Sequence, residues 1–339
     1  MSSLLKVAVV GTGSLGKEHV RIYAELARAS RVELAGVFDS SADTAQKIAA
    51  KHSVRAFASV AEAANAADAL SVVTPTNTHF EIAKTLLQQG KHLLVEKPMT
   101  DNAAQAAELV QLAQKHRCVL QVGHIERFNP VFKYLETIAT DPRFIEIHRL
   151  SPYPGRSTDI GVVLDLMIHD LDVVMALVKS PVKSVDAVGI PVLSKTEDIA
   201  NARLRFENGC VANLTASRVS PERMRKIRVF SGGAMPSHVS LDYRAQEGFI
   251  YRIARDGEEE SSLLKKLLAA KDSTIISKFG GKRIVREPVP IEKAEPLKVE
   301  LQSFVDCVHA RQTPVVSGES AKLALDVAFE ITRQIEQIR

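Results

Sequence analysis

Leu4–Leu5–Lys6–Val7–Ala8–Val9–Val10 runs directly into Gly11–Thr12–Gly13–Ser14–Leu15–Gly16 and then into Lys17–Ala29. The opening run is apolar but for one lysine and reads as a buried strand; the closing run reads as a helix. The turn between them has Gly-x-Gly-x-x-Gly spacing. Gly11 tolerates the tight bend, Gly13 lets a pyrophosphate approach the backbone, and Gly16 lets helix and strand pack closely. The helix N-terminus then offers N–H groups and a favourable dipole to phosphate. The pattern is weak alone, but the next strand, Val32–Phe38, ends in Asp39, at the roughly 20-residue distance where an acid receives ribose hydroxyls. Its charge repels a 2′-phosphate, and neither Ser40 nor Ser41 is basic. We therefore expect Gly11, Thr12, Gly13, Ser14, Leu15, Gly16, Asp39 and Ser40 to hold NAD rather than NADP. The competing reading is a structural turn with a capping aspartate.

The alternation continues. Ala42–Lys51 and Ser59–Ala67 read as helices, the second capped by Ser59 with Glu62 three residues on. Ala69–Val73 is a strand followed by Thr74–Pro75–Thr76–Asn77–Thr78–His79, and Phe80–Gln89 is a helix closed by Gly90. Leu93–Val95 is a strand ending in Glu96–Lys97–Pro98; then come a helix over Asn102–Lys115 and a strand over Val119–Val122 ending at Gly123–His124. Strands alternating with helices mean a parallel, doubly wound sheet, hence an α/β fold. In such a sheet the glycine turn, Asp39, Thr74–His79 and Glu96–Lys97 gather along one edge, where ligands sit. Thr74, Pro75, Asn77, His79, Glu96 and Lys97 thus join the expected cofactor site. Pro98 confines Lys97 to extended angles, and a lysine so held can bond a substrate oxygen. A surface loop with an ordinary Glu–Lys pair is the bland alternative.

The chain has 339 residues, 45% hydrophobic and 25% charged, with a net charge of +4. This is a globular composition of two-domain length, with a boundary expected between 1–124 and 125–339. The charge surplus is small and spread out, so no nucleic acid is expected; it suits an anionic small ligand. No apolar run approaches a membrane span and no signal peptide is read at the start, so we expect a cytoplasmic protein without a membrane partner. Cys118, Cys210 and Cys307 lie far apart, with no spacing for zinc or a redox pair; free thiols and no metal are expected.

In the second part, Glu126–Thr140 reads as a helix despite Pro130, and Phe144–Leu150 as a strand. Ser151–Pro152–Tyr153–Pro154–Gly155–Arg156–Ser157 is a loop with one aromatic and one arginine. Read as a helix, Asp159–Val178 carries Leu164, Ile168, Leu171 and Met175 on one stripe and Asp165, His169 and Asp172 on the next, so Asp165 can orient the His169 imidazole. Val182–Pro191, Ala200–Phe206, Cys210–Arg218, Arg225–Ser231, His238–Tyr243 and Gly248–Arg255 read as sheet strands, with a hairpin turn at Glu207–Asn208–Gly209. Asp256–Lys271 reads as an amphipathic helix, Thr274–Glu295 as a polar excursion, and Leu297–Ala310 and Gly318–Ile338 as packing helices. Arg127 and Arg156 sit in loops from which either could clamp a carboxylate or diphosphate.

Together these motifs resemble the glucose–fructose oxidoreductase/inositol dehydrogenase (Gfo/Idh/MocA) family. The resemblance rests on the nucleotide turn, Thr74–Pro75 with His79, Glu96–Lys97–Pro98, Gly123 with Arg127, Phe128 and Pro130, the Asp165–His169 pair, and the tail around Glu300–Val305 and Pro314–Gly318. It implies an N-terminal Rossmann domain and an α+β C-terminal domain on a large, mostly antiparallel sheet that often forms dimers or tetramers face to face. It also implies that Lys97 lies beside the nicotinamide and the reacting hydroxyl, before a bond to Pro98 that is often cis. Arg127 joins the implied cofactor site. The family's glycine-rich turn is reduced here to Gly161 followed by Val162–Val163. The runs Gly123–Pro130, Ser151–Ser157 and Val162–Asp170 are similar to those of family members that oxidise C3 of UDP-N-acetylglucosamine for diamino-sugar lipid A. We expect Lys97, His124, Tyr153, Arg156, Asp165 and His169 to meet a sugar or nucleotide-sugar substrate. His169 is the expected base, with Asp165 orienting it and Lys97 bonding the same oxygen or itself acting as base. A dehydrogenase of a free sugar, inositol or sugar acid, and a non-catalytic NAD-binding regulator, are the alternatives.

Overall fold

A computed structural model of the chain describes residues 4–153, 160–233, 236–254, 274–279 and 282–338, with backbone alone over 274–279. The chain forms two compact units, Met1–Phe128 with Glu295–Phe329, and Asn129–Ala294 with Glu330–Arg339.

In the first unit β1 (Lys6–Val10), β2 (Glu33–Phe38), β3 (Arg55–Ala56), β4 (Ala69–Val72), β5 (His92–Glu96) and β6 (Leu120–Gly123) lie in the order β3-β2-β1-β4-β5-β6. Every pairing is parallel. The central strands are apolar on both sides because helices cover both faces: β4 is buried at every residue. Those helices are α1 (Gly16–Arg28), α2 (Ala42–His52), α3 (Val60–Ala66), α4 (Thr76–Gln88) and α5 (Ala103–His116). Ser41, Ser59 and Asn102 each accept a first-turn N–H as N-caps of α2, α3 and α5. Two elements differ from the sequence pattern. β3 is a two-residue strand, too short to show periodicity. α4 starts at Thr76 rather than Phe80, because the Thr78 hydroxyl bonds Thr74 Oγ1 and the Pro75 carbonyl and supports a first turn without apolar period.

The boundary expected at 124/125 is corrected at the tail. α8 (Pro296–Ala310) belongs to the first unit with residues up to Phe329 of α9 (Gly318–Ile338). Leu297, Leu301, Phe304, Val305 and Val308 follow helical spacing and enter the same buried cluster as Leu5, Val20, Tyr23 and Val119. Lys298 adds an ion pair to Glu25 at 3.0 Å. Contiguity in sequence does not reveal which sheet a terminal helix covers.

The second unit is a sheet in the order β14-β15-β13-β12-β11-β7-β10-β9-β8. Its strands are β7 (Pro142–Leu150), β8 (Val182–Ile190), β9 (Ile199–Phe206), β10 (Val211–Ser217), β11 (Met224–Ser231), β12 (Ser237–Asp242), β13 (Glu247–Ile253), β14 (Thr274–Phe279) and β15 (Lys282–Pro288). Only β7 and β10 pair in parallel. Ile145, Ile147, Leu204, Leu214, Ile227 and Val229 face the buried side, on which α7 (Ile168–Val178) packs against β7. The other side carries a row of rings from Phe144 through Phe230 and His238 to Tyr251, with successive centroids 5.4, 4.3 and 4.9 Å apart.

Three more expectations change here. Thr274–Glu295 is not an excursion: β14 and β15 form a hairpin that joins β13. Its alternating charges disguise it, since Arg252 pairs with Glu287 across strands and Arg286 lies over the Phe249 ring. Glu126–Thr140 splits into a 3₁₀ turn at Ile125–Phe128 and α6 (Pro130–Ile138), because Asn129 caps α6 and Pro130 opens it. Asp159–Val178 is not one α-helix; α7 is preceded by a π turn at Val163–Met167. The expected helix over Asp256–Lys271 and the Pro154–Ser157 part of the loop lie outside the described residues.

Phe304 is fully buried, so Phe304→Ala should cost roughly 3–5 kcal/mol. We expect hydrogen-exchange protection to fall in β1 and α1 and to persist in β7, β9 and β10; loss in the second unit instead would refute the assignment of α8.

Candidate active site

Parallel pairing brings the carboxyl ends of β1, β2, β4, β5 and β6 to one edge, with the order reversing between β1 and β4. At the end of β1, Gly11 adopts φ +92°, and a Cβ there would meet the Val73 carbonyl at 2.3 Å. Gly13 has nothing within 4 Å of an added Cβ and is exposed with Ser14 and Leu15, leaving open approach for a phosphate. α1 starts without a side-chain cap, so its first N–H groups look to another acceptor. Asp39, after β2, is clamped: Oδ2 accepts from Thr12 N (2.7 Å) and Thr12 Oγ1 (2.9 Å), and Oδ1 from Ser41 N (3.0 Å). Burial pushes its carboxyl up, but these donors outweigh it and hold the pKa below the ordinary value. Ser40 is exposed beside it. An open glycine, an uncapped helix and a fixed carboxylate together fit a dinucleotide.

Thr74, Pro75, Asn77 and His79 follow β4. His79 is buried, and its ring nitrogens contact the Thr74 carbonyl at 2.7 Å and the Pro98 carbonyl at 3.0 Å. The ring ties the end of β4 to the end of β5 whichever nitrogen holds the proton. Burial lowers its pKa despite these acceptors. Asn77 and Pro75 are exposed.

Glu96 closes β5 with Oε1 3.3 Å from His19 Nε2 and Oε2 accepting from Lys97 N at 3.3 Å. A Cβ on Gly123, the end of neighbouring β6, would lie 2.7 Å from the Glu96 carboxyl carbon, so a larger residue there would displace the carboxylate from this position. Lys97, half-buried, leaves this clamp and enters a cis bond to Pro98. His19 is absent from the sequence-based site. Its signal was a histidine on the buried stripe of α1, with Gly16, Val20 and Tyr23. His124 is buried, and its pKa is pushed down to about 3, first by burial and then by the charges of Lys97 and Arg127. Arg127 sits on the 3₁₀ turn and gives Nη2 to the Val315 carbonyl at 3.3 Å.

In the second unit the approach to the π turn is anchored from two sides. Arg218, fully buried, gives Nη1 to the Ile160 carbonyl at 2.7 Å and Nε to Asp198 at 2.7 Å. Glu197 accepts Val162 N at its carbonyl (2.9 Å) and Val163 N at Oε1 (3.3 Å). A Cβ on Gly161 would lie 1.8 Å from that oxygen. Ile168 N then reaches back to the Val163 carbonyl, an i→i−5 bond of the kind common at functional sites. Asp165 and His169, both half-buried, stand on this widened turn and on the first turn of α7. Asp172, expected on their stripe, is buried instead, as is Asp170, which takes Arg149 bidentately at 2.8 Å through both oxygens. Tyr153 is half-buried at the end of its described segment; Arg156 lies outside the described residues. Among the described residues the cysteines are free, no group suits a metal ion and no helix is long and apolar enough to cross a membrane.

Residues 5–124 match the oxidoreductase family with an NAD-binding Rossmann fold, and residues 140–233 match the GFO/IDH/MocA C-terminal domain. A curated relative, UDP-N-acetylglucosamine 3-dehydrogenase of Acidithiobacillus ferrooxidans, is 34% identical over 98% of this chain and 97% of its own. The chain belongs to the Gfo/Idh/MocA oxidoreductase family. The solved structure of that enzyme, GnnA, superposes with a TM-score of 0.84 at 33% identity over 99% of both chains. An inositol 2-dehydrogenase of Corynebacterium glutamicum is 30% identical over 95% of this chain and 90% of its own. This family member is therefore an NAD-dependent oxidoreductase, and its first unit is the cofactor domain.

Asp39→Ala should raise the KM for NAD by about ten-fold or more through loss of a charged acceptor, with folding intact by circular dichroism; an unchanged KM would remove Asp39 from the ribose site. His124 titrates at 6.5 when unfolded and at about 3 when folded. Between those values the unfolded chain binds more protons, so stability is full above pH 6.5 and falls as pH drops, by up to about 1.4 kcal/mol per pH unit. Urea unfolding across that range should show a shallower acid loss for His124→Gln than for the wild type.

Proposed function

We propose that this enzyme oxidises the C3 hydroxyl of the sugar ring in UDP-N-acetylglucosamine to a ketone, with NAD taking the hydride. The observation that carries this reading is the 34% identity to UDP-N-acetylglucosamine 3-dehydrogenase along 98% of the chain. The balance is one secondary alcohol and NAD⁺ giving one 3-keto sugar, NADH and a proton. Bound nicotinamide supplies the hydride acceptor. In this proposal His169 takes the hydroxyl proton, Asp165 orients its ring, and Lys97 bonds the same oxygen and stabilises its alkoxide character. The Glu96 clamp supports the role of Lys97 by fixing the backbone that carries it. The anchored π turn does the same for Asp165 and His169. His124, Tyr153 and Arg156 are assigned to the sugar and its phosphates.

The ketone formed is a substrate for an aminotransferase, which would place the reaction in diamino-sugar lipid A synthesis in the cytoplasm. We further assign the ring-bearing face of the second unit's sheet to pairing with another copy of the chain. Val188 and Ile190, 50% and 55% exposed at its far edge, extend the apolar surface such pairing needs.

NADH formation with UDP-N-acetylglucosamine, free N-acetylglucosamine and inositols tests the reading. Turnover is expected with the nucleotide sugar, and Lys97→Ala and His169→Ala should each lower kcat by about 10²–10⁴-fold with NAD affinity within a few-fold. Turnover of an inositol alone would overturn the substrate, and near-normal kcat in both variants would overturn the roles.

A further inference from the structure

The edge of the first unit's sheet opposite the cofactor residues holds a pocket of about 490 Å³, a volume within the small-molecule range. It opens where β5 and β6 begin, and His92, Val119 and Leu120 line it. Glu96, at the far end of β5, is about 13 Å along the strand from His92. Two helix ends reach the same place. Arg117 follows α5, Arg311 follows α8, and both line the pocket.

An arginine after a helix can serve the last carbonyls with its side chain. Neither arginine does so here. Both residues adopt left-handed angles, φ 54° and 51°, and each helix end closes through its own backbone. Cys118 N–H donates to the Ala113 carbonyl at 2.9 Å, and Gln312 N–H to the Cys307 carbonyl at 3.0 Å. Both arginines are exposed, and neither guanidinium makes a hydrogen bond or an ion pair among the described residues. His92 adds a donor. Val119 N–H donates to its Nδ1 at 2.9 Å, so the neutral ring carries its proton on Nε2. Burial, and then the charge of Arg311, lowers the pKa of the ring and keeps it neutral at pH 7. Glu319 brings a carboxylate to the wall, but Gln114 Nε2 donates to it at 2.9 Å, and the two guanidinium charges outnumber it. Val110, Ala113, Val119, Leu120 and Pro314 supply a buried apolar side.

We propose that this pocket is a second ligand site, separate from the cofactor edge, and takes a small organic phosphate. The forks of Arg117 and Arg311 receive the phosphate, and the apolar side receives the body that carries it. Planar guanidinium groups suit phosphate oxygens better than ammonium groups do. Two such forks offer more N–H groups than the two oxygens of a carboxylate take in plane, whereas a phosphate presents three oxygens. The volume exceeds what a bare phosphate fills, which is why an organic body belongs in it. The inference is independent of which alcohol the enzyme oxidises.

The test uses the full chain saturated with NADH, so that the cofactor's own phosphate site is filled, and titrates it by calorimetry in phosphate-free buffer. Phenyl phosphate is expected to bind, and inorganic phosphate, which has no body for the apolar side, to bind more weakly. Arg117→Gly/Arg311→Gly should lose about ten-fold or more in affinity for phenyl phosphate. Glycine is the residue that left-handed backbone favours, so this variant removes the forks without straining either helix end, and its fold should survive. The double lysine variant should fall between it and wild type, because it keeps charge without the fork. Phenyl phosphate binding that is absent from wild type, or equal in wild type and the glycine variant, overturns the site and leaves the arginines to balance the helix ends. Inorganic phosphate binding as tightly as phenyl phosphate overturns the organic body.

Discussion

Parallel pairing of β3-β2-β1-β4-β5-β6 is the constraint on which the cofactor domain depends. Strands that all run one way must deliver all their carboxyl ends to one edge, and their connections must cross as helices over both faces. Asp39, Thr74, Lys97 and His124 come from distant points in the chain, yet each follows such an end. The same geometry makes neighbouring strand ends into partners. Gly123 at the end of β6 gives space to the Glu96 carboxylate at the end of β5, and His79 links the end of β4 to the cis-proline after β5.

The second unit meets a different problem. Its sheet is mostly antiparallel, and among the described residues helices pack on one side of it, where the strands turn their apolar side chains. Loops at the sheet's end are held by buried charge rather than apolar packing. Arg218 with Asp198 and Arg149 with Asp170 are almost wholly out of water. Such pairs add little net stability, but each is expensive to break because the partner would be left buried and unpaired. Asp198 also accepts three consecutive N–H groups, from Val192, Leu193 and Ser194, which with Arg218 outweigh burial and keep its pKa well below the carboxylate range. These networks fix where the chain enters the π turn and so where Asp165 and His169 stand.

Much of this was legible in the sequence. The Gly11–Gly16 turn, Asp39, Glu96–Lys97–Pro98 and the Asp165–His169 spacing are local patterns, and local patterns carry to structure when their strands are long and continuous. His19, the Glu96–Gly123 contact and the Arg149–Asp170 pairing were not legible, because each joins residues brought together only by strand order or register. The β14–β15 hairpin was misread for a related reason. Two of its charged residues find partners on the neighbouring strand, Glu287 with Arg252 and Arg286 over the Phe249 ring, so the stretch seems too polar for a sheet until those partners are known.

By itself, then, the sequence determined the alternation of strands and helices, the parallel sheet, the glycine turn after the first strand and the acid after the second, since these follow from periodicity and from residue types at short spacing. Only the tertiary structure decided that α8 completes the first unit's core, that the helix before His169 widens into a π turn, and that arginines from two helix ends share one pocket. Those outcomes depend on which surfaces meet, and burial and register across the fold are long-range quantities that no local window contains.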